Sequence, residues 1–393
     1  IAPDDRTSAR RAAQLLIWLG RHDEGIAAYR ALLASDPSDR HSRLGLARAL
    51  NDAGRHRAAI AAYRDAAQAD TAAPLDNDAR FDLARAWRWA GFDDVADAQL
   101  AGLAQDDARW LRDYRTSREL SRWLRAGLHW ATDRDDLDVR TSELAAGWNL
   151  PGGRAIETSL RHVDLDERGL GAHGLRWETA ARTRLGTPDS AWGVAWPSLA
   201  VGLNHYGDWH PVTGGARLRW LPQDALRVDA ELVREVIETP LAVANRVHVD
   251  VASVGADWRP HPLWSIAGAV SHLRFDDGND RLRLNARVER TLLARPRLRA
   301  GIEAMTFDSS DPTGPTVAAR GYWNPRAYRE MRAYLSLSHE ARPWSVDAKI
   351  GLGTASETDG WGNHSTGTPN VWEIAAALDL APRLQLRLVA GGS

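Results

Sequence analysis

DRLRLNARVERTLLARPRLRAGIEAM, residues 280–305, decides how the rest of the chain is read. From Arg281, one set of alternate positions is Leu282, Leu284, Ala286, Val288 and Leu292. The intervening set is Arg281, Arg283, Asn285, Arg287, Glu289 and Thr291. A period of two places the sets on opposite faces of a pleated strand, one apolar and one charged. After the turn Ala294-Arg295-Pro296-Arg297 the alternation resumes, with Leu298, Ala300, Ile302 and Ala304 against Arg297, Arg299 and Glu303. Two strands of roughly ten residues, long enough to cross a bilayer when tilted, read as one hairpin of a transmembrane β-barrel.

The hairpin recurs. Alternation can be followed at about 122–132, 138–149, 154–163, 175–185, 192–205, 214–221, 226–237, 246–258, 264–274, 281–293, 297–307, 318–340, 344–353, 370–380 and 383–390. Connections of two kinds alternate between these strands. Short ones carry proline, at Pro151, Pro188, Pro222, Pro260, Pro296, Pro343 and Pro382. Long polar ones run from Asp164 to Gly174, Gly207 to Thr213, Asp276 to Asp280, Asp308 to Gly314 and Thr354 to Pro369. Short inner turns opposite long outer loops are the asymmetry of outer-membrane barrels. A soluble sandwich has no reason to alternate its turns in this way. About fifteen strands are countable, and bacterial single-chain barrels are closed and even-numbered. The expectation is therefore a barrel of about sixteen strands whose last strand lies outside the sequence given. Neither a leader at Ile1 nor an aromatic terminus at Ser393 is present, which fits a chain cut at both ends.

Composition alone would mislead. At 393 residues, 44% hydrophobic and 26% charged, the chain passes for a soluble protein, because alternation dilutes hydrophobicity. No apolar run reaches the length of a membrane helix. A net charge of −2 argues against nucleic acid as the partner. Absence of cysteine excludes disulfides and thiolate chemistry and fits an exported protein. Lys349 is the sole lysine, so basic charge is arginine.

Upstream of the strands the chain is helical and repetitive. Leu16, Gly20, Ile26, Tyr29 and Asp36 reappear as Leu50, Gly54, Ile60, Tyr63 and Asp70, each 34 residues later, the tetratricopeptide period. A third copy, with Leu83, Ala84, Trp87, Gly91 and Ala98, follows a short insertion. Trp110, Leu111 and Tyr114 mark a helix-compatible linker that would dock the repeats to the strand region. The fold class is thus two-domain α plus β: an α-solenoid with its linker helix at 1–120 and an antiparallel transmembrane β-barrel at 121–393.

Solvent decides the faces. Rows such as Leu175, Trp177, Ala181 and Leu185 face lipid, so their alternates face a lumen. The pore-lining candidates are Arg176, Glu178, Arg182, Arg217, Arg219, Arg227, Asp229, Glu231, Asp250, Arg283, Arg287, Glu289, Arg299 and Glu303. A wall of both signs suits a water-filled conduit, since about sixteen strands enclose more space than side chains fill. Taken singly, each charge is more economically a structural cross-strand partner. Trp123, Trp148, Trp192, Trp220, Trp258, Trp264, Trp344 and Trp372 lie near strand ends, as an interfacial girdle would. Trp323 and Trp361 are the candidates for stacking on sugar rings in the lumen. No zinc-type histidine spacing, nucleophile elbow or phosphate-binding glycine loop is present, so the sequence calls for no catalytic residue, metal or cofactor. Ser271-His272 at an outer rim and the Asp133, Asp135, Asp136 and Asp138 run read as rim and loop residues.

Repeats followed by a barrel, together with the motif Gly321-Tyr322-Trp323-Asn324-Pro325, resemble the exopolysaccharide exporters of Gram-negative bacteria: the poly-N-acetylglucosamine porin and the cellulose-synthase outer-membrane subunit. The resemblance implies an outer-membrane porin with periplasmic repeats that guide a polysaccharide chain and bind synthase components, set among outer-membrane lipid and lipopolysaccharide. A lumen of both signs leans toward a neutral or partly deacetylated polymer, cellulose or amino-sugar. Two other classes stand beside it: a receptor or assembly scaffold resembling the phage-adsorption outer-membrane protein, and a barrel enzyme. The loops Asp308 to Pro315 and Thr354 to Pro369 are long enough to fold inward as a gate.

Overall fold

The computed structural model describes residues 5–69, 74–101, 122–133, 136–294, 296–314, 319–341, 343–381 and 384–393. Six helices come first: α1 (Arg6–Trp18), α2 (His22–Ser35), α3 (Arg40–Asp52), α4 (His56–Ala69), α5 (Asn77–Trp89) and α6 (Asp93–Ala101). They pair as three hairpins, α1 with α2, α3 with α4 and α5 with α6. The carboxylates of Asp5, Asp39 and Asp76 accept backbone N–H bonds at the first turns of α1, α3 and α5, which fixes where each hairpin begins. Within each hairpin, Gly20, Gly54 or Gly91 takes the left-handed conformation that turns the chain (φ +78, +75 and +86). Tyr29 and Tyr63, the repeat-matched tyrosines, are 3% and 0% exposed in the solenoid core. The linker segment bearing Trp110, Leu111 and Tyr114 lies outside the described residues.

The strands are β1 (Arg122–Thr132), β2 (Leu137–Leu150), β3 (Arg154–Glu167), β4 (Leu170–Arg182), β5 (Val194–His205), β6 (Val212–Gln223), β7 (Leu226–Val236) and β8 (His248–His261). They continue as β9 (Trp264–Phe275), β10 (Asp280–Ala294), β11 (Arg297–Ser309), β12 (Ala327–Ala341), β13 (Trp344–Thr358), β14 (His364–Gly367), β15 (Asn370–Ala381) and β16 (Leu384–Gly392). All belong to one antiparallel sheet in which chain neighbours pair in order, except that β14 pairs only with the outer end of β13 and β15 takes the next place. The opening hairpin of the sequence reading is β10–β11, with Val288 opposite Ile302 and Arg287 opposite Glu303.

Two features differ from the sequence expectation. Strand β12 begins at Ala327, not near 318, because residues 319–326 form a loop held by side-chain bonds. The ladder is not closed: among the described residues β1 and β16 do not pair. With β14 off the path, β1 and β16 run in the same direction, and the antiparallel pairing used everywhere else cannot join them.

The helices do not hang free of the sheet. Val194 is 1% exposed within the helical core, and Trp196 packs beside it. Trp196 lies so close to Gly91 that a Cβ there would come within 2.3 Å of its ring. Around this contact the short turns of the sheet seat on the helices. Asp224, in the β6–β7 turn, accepts from the Arg57 backbone N–H (3.0 Å) and Nε (3.1 Å), and so caps the N-terminus of α4 from another part of the chain. Arg57 Nη2 also donates to Pro222 O at 2.8 Å. Arg64 meets Asp189 at 2.6 Å. Asp94 takes Arg184 Nη2 at 3.1 Å and the Gly152 N–H at 3.2 Å, while the Arg184 guanidinium lies 4.3 Å over the Phe92 ring. Burial works to raise the Asp94 pKa, but Arg184 and the Gly152 N–H together hold it below the ordinary carboxylate value. For Asp224 the balance is reversed: burial outweighs Arg57 and raises it.

Replacing Asp224 with alanine removes both the cap and the ion pair. The expected outcome is a loss of about 1 kcal/mol from the cap alone, read as faster limited proteolysis of the helical segment with the sheet intact. A second expectation concerns His56, packed 5.1 Å from Trp89 with Nδ1 2.8 Å from Asn51 Oδ1. Burial first, then Arg259 and Arg85, lower its pKa from 6.5 to about 4. The unfolded chain therefore binds this proton first as pH falls, and the contribution of neutral His56 is lost between pH 6.5 and about 4. Asp93, Asp97 and Asp224 are raised by burial and titrate with the opposite sign. The check is thus a difference: His56→Gln should flatten the fall in helical melting temperature between pH 7 and pH 5 relative to the unsubstituted protein.

Candidate functional site

Because side chains alternate across each strand, the sheet sorts its charges onto one face, and that face curls around a cavity of about 2000 Å³. Lining residues come from β1 through β13, and at the repeat end from α5 and α6 through Trp89, Asp93 and Asp97. The solenoid therefore forms part of the wall of the lumen at that end.

Of the residues singled out from the sequence, Arg182, Arg217, Arg219, Arg227, Asp229, Glu231, Arg287 and Glu303 line this cavity. They are paired. Arg219 meets Asp229 at 3.0 Å, Arg227 meets Asp229 at 2.8 Å, and Arg217 meets Glu231 at 3.4 Å. Arg176 and Glu178 pair with each other two residues apart on β4. Glu289, 7% exposed, accepts from Arg299 at 3.1 Å and from the Tyr334 hydroxyl at 2.8 Å. Arg283 shares the inward face of β10, and its Nε is buried with no bonding partner among the described residues.

Asp250 is the exception. It pairs across the sheet with Arg234, on the even-numbered face of β7 and β8 that also carries Leu232, Ala252 and Val254. Its side chain therefore faces away from the lumen. Sequence reasoning matched it to the lumen set because it is charged, but the register assigns faces by parity and not by polarity.

The same parity could have found residues that were missed. Asp257, 7% exposed on β8, gathers Arg287 at 3.1 Å, Arg227 at 3.8 Å, Arg259 at 3.6 Å and the Ser265 hydroxyl at 3.2 Å. Glu303 takes Arg332 at 3.2 Å and Lys349 at 2.8 Å, so the chain's one lysine faces the lumen.

Tryptophans divide between the faces. Trp148, Trp258, Trp264, Trp344 and Trp372 are exposed on the outward side, with Trp258, Trp264 and Trp344 beside the repeat-side turns. Trp192 is exposed in the β4–β5 connection, and Trp220 donates to its carbonyl at 2.6 Å. Trp123 was placed in the girdle but turns inward, lining the cavity and packing on Gly147, because it sits at an odd position of β1. Trp323 stands at the outer mouth, edge-on to Phe307 (5.1 Å) and Tyr328 (4.7 Å), with Nε1 donating to Glu357 at 3.3 Å. Trp361 is 60% exposed in the β13–β14 turn and is not among the residues lining the cavity.

The outer end, opposite the repeats, is occupied by a segment the sequence reading passed over. Between β7 and β8 the chain forms a short helix, α7 (Pro240–Ala244), with Thr239 capping it. This helix reaches between walls. Ala242 packs in a cluster with Leu273 and Phe275 of β9, while Val243 packs in another with Val163 and Leu165 of β3 and with Tyr206. Glu238 accepts from the Tyr206 hydroxyl at 2.8 Å and pairs with Arg161 of β3.

The motif Gly321-Tyr322-Trp323-Asn324-Pro325 clamps α7. Gly321 (φ +86) lies against it so closely that a Cβ would approach the Ala242 backbone nitrogen to 2.3 Å, and its carbonyl accepts from the Thr239 hydroxyl. Tyr322 stacks on Phe275 at 4.4 Å and donates to Asp277 at 2.9 Å. Burial, with Asp277 adding to it against Asn279, pushes the Tyr322 hydroxyl up to about 12, so it stays a donor. Asn279, 0% exposed, donates to Asn324 Oδ1 at 2.9 Å and accepts from the Asp311 N–H at 3.1 Å.

The gate expectation is corrected accordingly. From the loop beginning at Asp308, Asp311 joins this clamp. The Thr354 to Pro369 segment extends β13 to Thr358 and folds β14 back on it, with Gly360 of its turn against Thr313 and Gly314.

Residues 196–360 match the family model described as the PgaA membrane beta barrel domain. Residues 4–86 match one described as a bacterial transcriptional activator domain, a stretch that spans the first two helical hairpins and most of α5. Solved structures similar to the chain include a bacterial polysaccharide outer membrane secretin at 14% identity, covering 64% of this chain and 83% of that one, with a TM-score of 0.48. Another is OmpT, an outer membrane protein of Vibrio cholerae, at 12% identity, 65% and 94% coverage and a TM-score of 0.32. No curated protein matches. The strand region thus matches a membrane β-barrel domain, and the helical hairpins before it keep the tetratricopeptide-like layout read from the sequence.

Gly321→Val should push α7 off its clamp while leaving the strands paired. The expected outcome is loss of protease protection at residues 237–247 with an unchanged strand signal in far-ultraviolet circular dichroism.

Proposed function

We propose that the protein is a non-enzymatic outer-membrane conduit for an exopolysaccharide, with its helical repeats in the periplasm. The observation that carries this reading is the cavity bounded at one end by the solenoid and walled by paired charges of both signs. Paired charges offer hydroxyl-bearing chains many donors and acceptors without the strong field that would hold a polyion. A neutral or partly deacetylated polymer, cellulose or poly-N-acetylglucosamine in type, suits such a wall. The repeats, seated on the short turns, would hand the polymer to the lumen and offer their outer face to synthase components.

A second reading, a receptor or assembly scaffold, is favoured by one observation: α7 packs against both β3 and β9 at the outer end. Planar-bilayer recording separates the two. The conduit reading expects low basal conductance, a clear increase when residues 238–246 are replaced by a short Gly-Ser turn, and block of the opened pore by glucosamine or cellulose oligomers. A pore that stays closed or is indifferent to every oligomer would sink it.

A further inference from the structure

The lipid-facing side of the sheet carries a site of its own. On β7 the outward row is Leu226, Val228, Ala230 and Leu232, and then it changes abruptly to Arg234. Across the neighbouring strands the same outward level holds Asp250 on β8 and Arg274 on β9, and His272 lies one outward step deeper, level with Leu232 and Ala252. Together they border a notch of about 470 Å³ whose remaining lining includes Gly214, Leu232 and Ala252. Gly214 beside Arg234 and Ala252 beside Leu232 leave a groove, so the notch is greasy at Leu232 and Ala252 and carries charges of both signs toward its outer edge, where Arg234 and Arg274 face Asp250 and Asp280.

The charges are not fully spent on one another. Asp250 takes Nε and Nη2 of Arg234, both at 2.7 Å, which fixes that guanidinium in place. His272 lies 3.2 Å from Asp280. Arg274 is exposed, and among the described residues it has no carboxylate within ion-pair distance. An arginine left in hydrocarbon would be costly, so its place on the outward face sets this level at the polar boundary of the bilayer. The anion abundant at that boundary is lipid phosphate, and the guanidinium fork matches it in geometry and charge.

We propose that this notch binds one phosphorylated membrane lipid, its phosphate held by Arg274 with His272 and the fixed Arg234, and an acyl chain laid along Leu232 and Ala252. The proposal rests on the outward face meeting lipid and is independent of what passes through the lumen.

The test uses the full chain reconstituted in zwitterionic phospholipid vesicles, with added diphosphorylated lipid A, dephosphorylated lipid A, or inorganic phosphate. Diphosphorylated lipid A should raise the melting temperature by several degrees and remain bound through native mass spectrometry, where its dephosphorylated form does neither. The double variant Arg274→Gln/His272→Gln should lose most of that shift. Ala252→Phe, which fills the greasy end and leaves every charge in place, should lose it too, while Arg329→Gln, outward on β12, should retain it. An equal shift from inorganic phosphate, or from dephosphorylated lipid A, would overturn the lipid-phosphate site. So would a double variant that keeps the full response.

Discussion

Inside a membrane no water is at hand for a stray backbone N–H or C=O, so each must be bonded within the protein. The ladder from β1 to β16 is this chain's answer, and its register then dictates everything else about the wall. Once Val288 faces Ile302, the odd residues of β10 are committed to the lumen and the even ones to lipid, as far as the register shift between Thr291 and Leu293. The charges have no choice of face. That is why Asp257, three-quarters along β8, becomes a hub for three arginines, while Asp250, seven residues earlier and of opposite parity, is paired on the outside. Where the outward parity meets a charge, the chain must already be leaving the hydrocarbon. Arg234 and Arg274 lie near the outer ends of their strands for this reason.

Much of this was legible because a two-residue period survives any composition. The fifteen alternating segments correspond to β1 through β13, β15 and β16, and the proline turns fall between them. What escaped reading was local structure fixed by distant partners. Pro240 to Ala244 is too short to announce a helix by periodicity, and it exists because Thr239, Gly321 and Phe275's neighbour Tyr322 close around it. Gly321 to Pro325 was visible as a motif, but its purpose was not, since nothing in five residues says that a glycine is needed for contact with a helix some eighty positions upstream. Strand β14 is four residues of mixed polarity that pair only with an extension of β13. Within the candidate site, lumen residues on strands could be read by counting. Trp89, Asp93 and Asp97 could not, because they reach the lumen through the docking of the solenoid.

That docking and the clamp treat the two ends of the sheet differently. At the repeat end, the contacts are charged and exchangeable except around Trp196, which enters the helical core over Gly91. The seat is anchored at one hydrophobic point and oriented by ion pairs at Asp94, Asp189 and Asp224. At the outer end the packing is drier. Two aromatic and aliphatic clusters flank α7, and the fully buried Asn279 ties the loops together. A buried polar network of this kind is costly to open by halves, because each separated partner would lose its bond. The outer end is therefore built to be either shut or displaced as a unit.

In the conduit proposed above, this asymmetry determines where discrimination would occur. A ladder of adjacent opposite charges acts at short range as a row of dipoles, and its field falls away faster than that of a single sign. A chain moving along the middle of such a lumen meets little that distinguishes one neutral sugar from another. Recognition has to occur where the wall comes close. One such place is the repeat end, where Trp89 and Trp123 share the cavity with Asp93 and Asp97. The other is the outer mouth, where Trp323 stands beside Glu357 and α7 narrows the passage. On that proposal, the long charged wall between them would set what can pass without being held, and the two ends what is chosen.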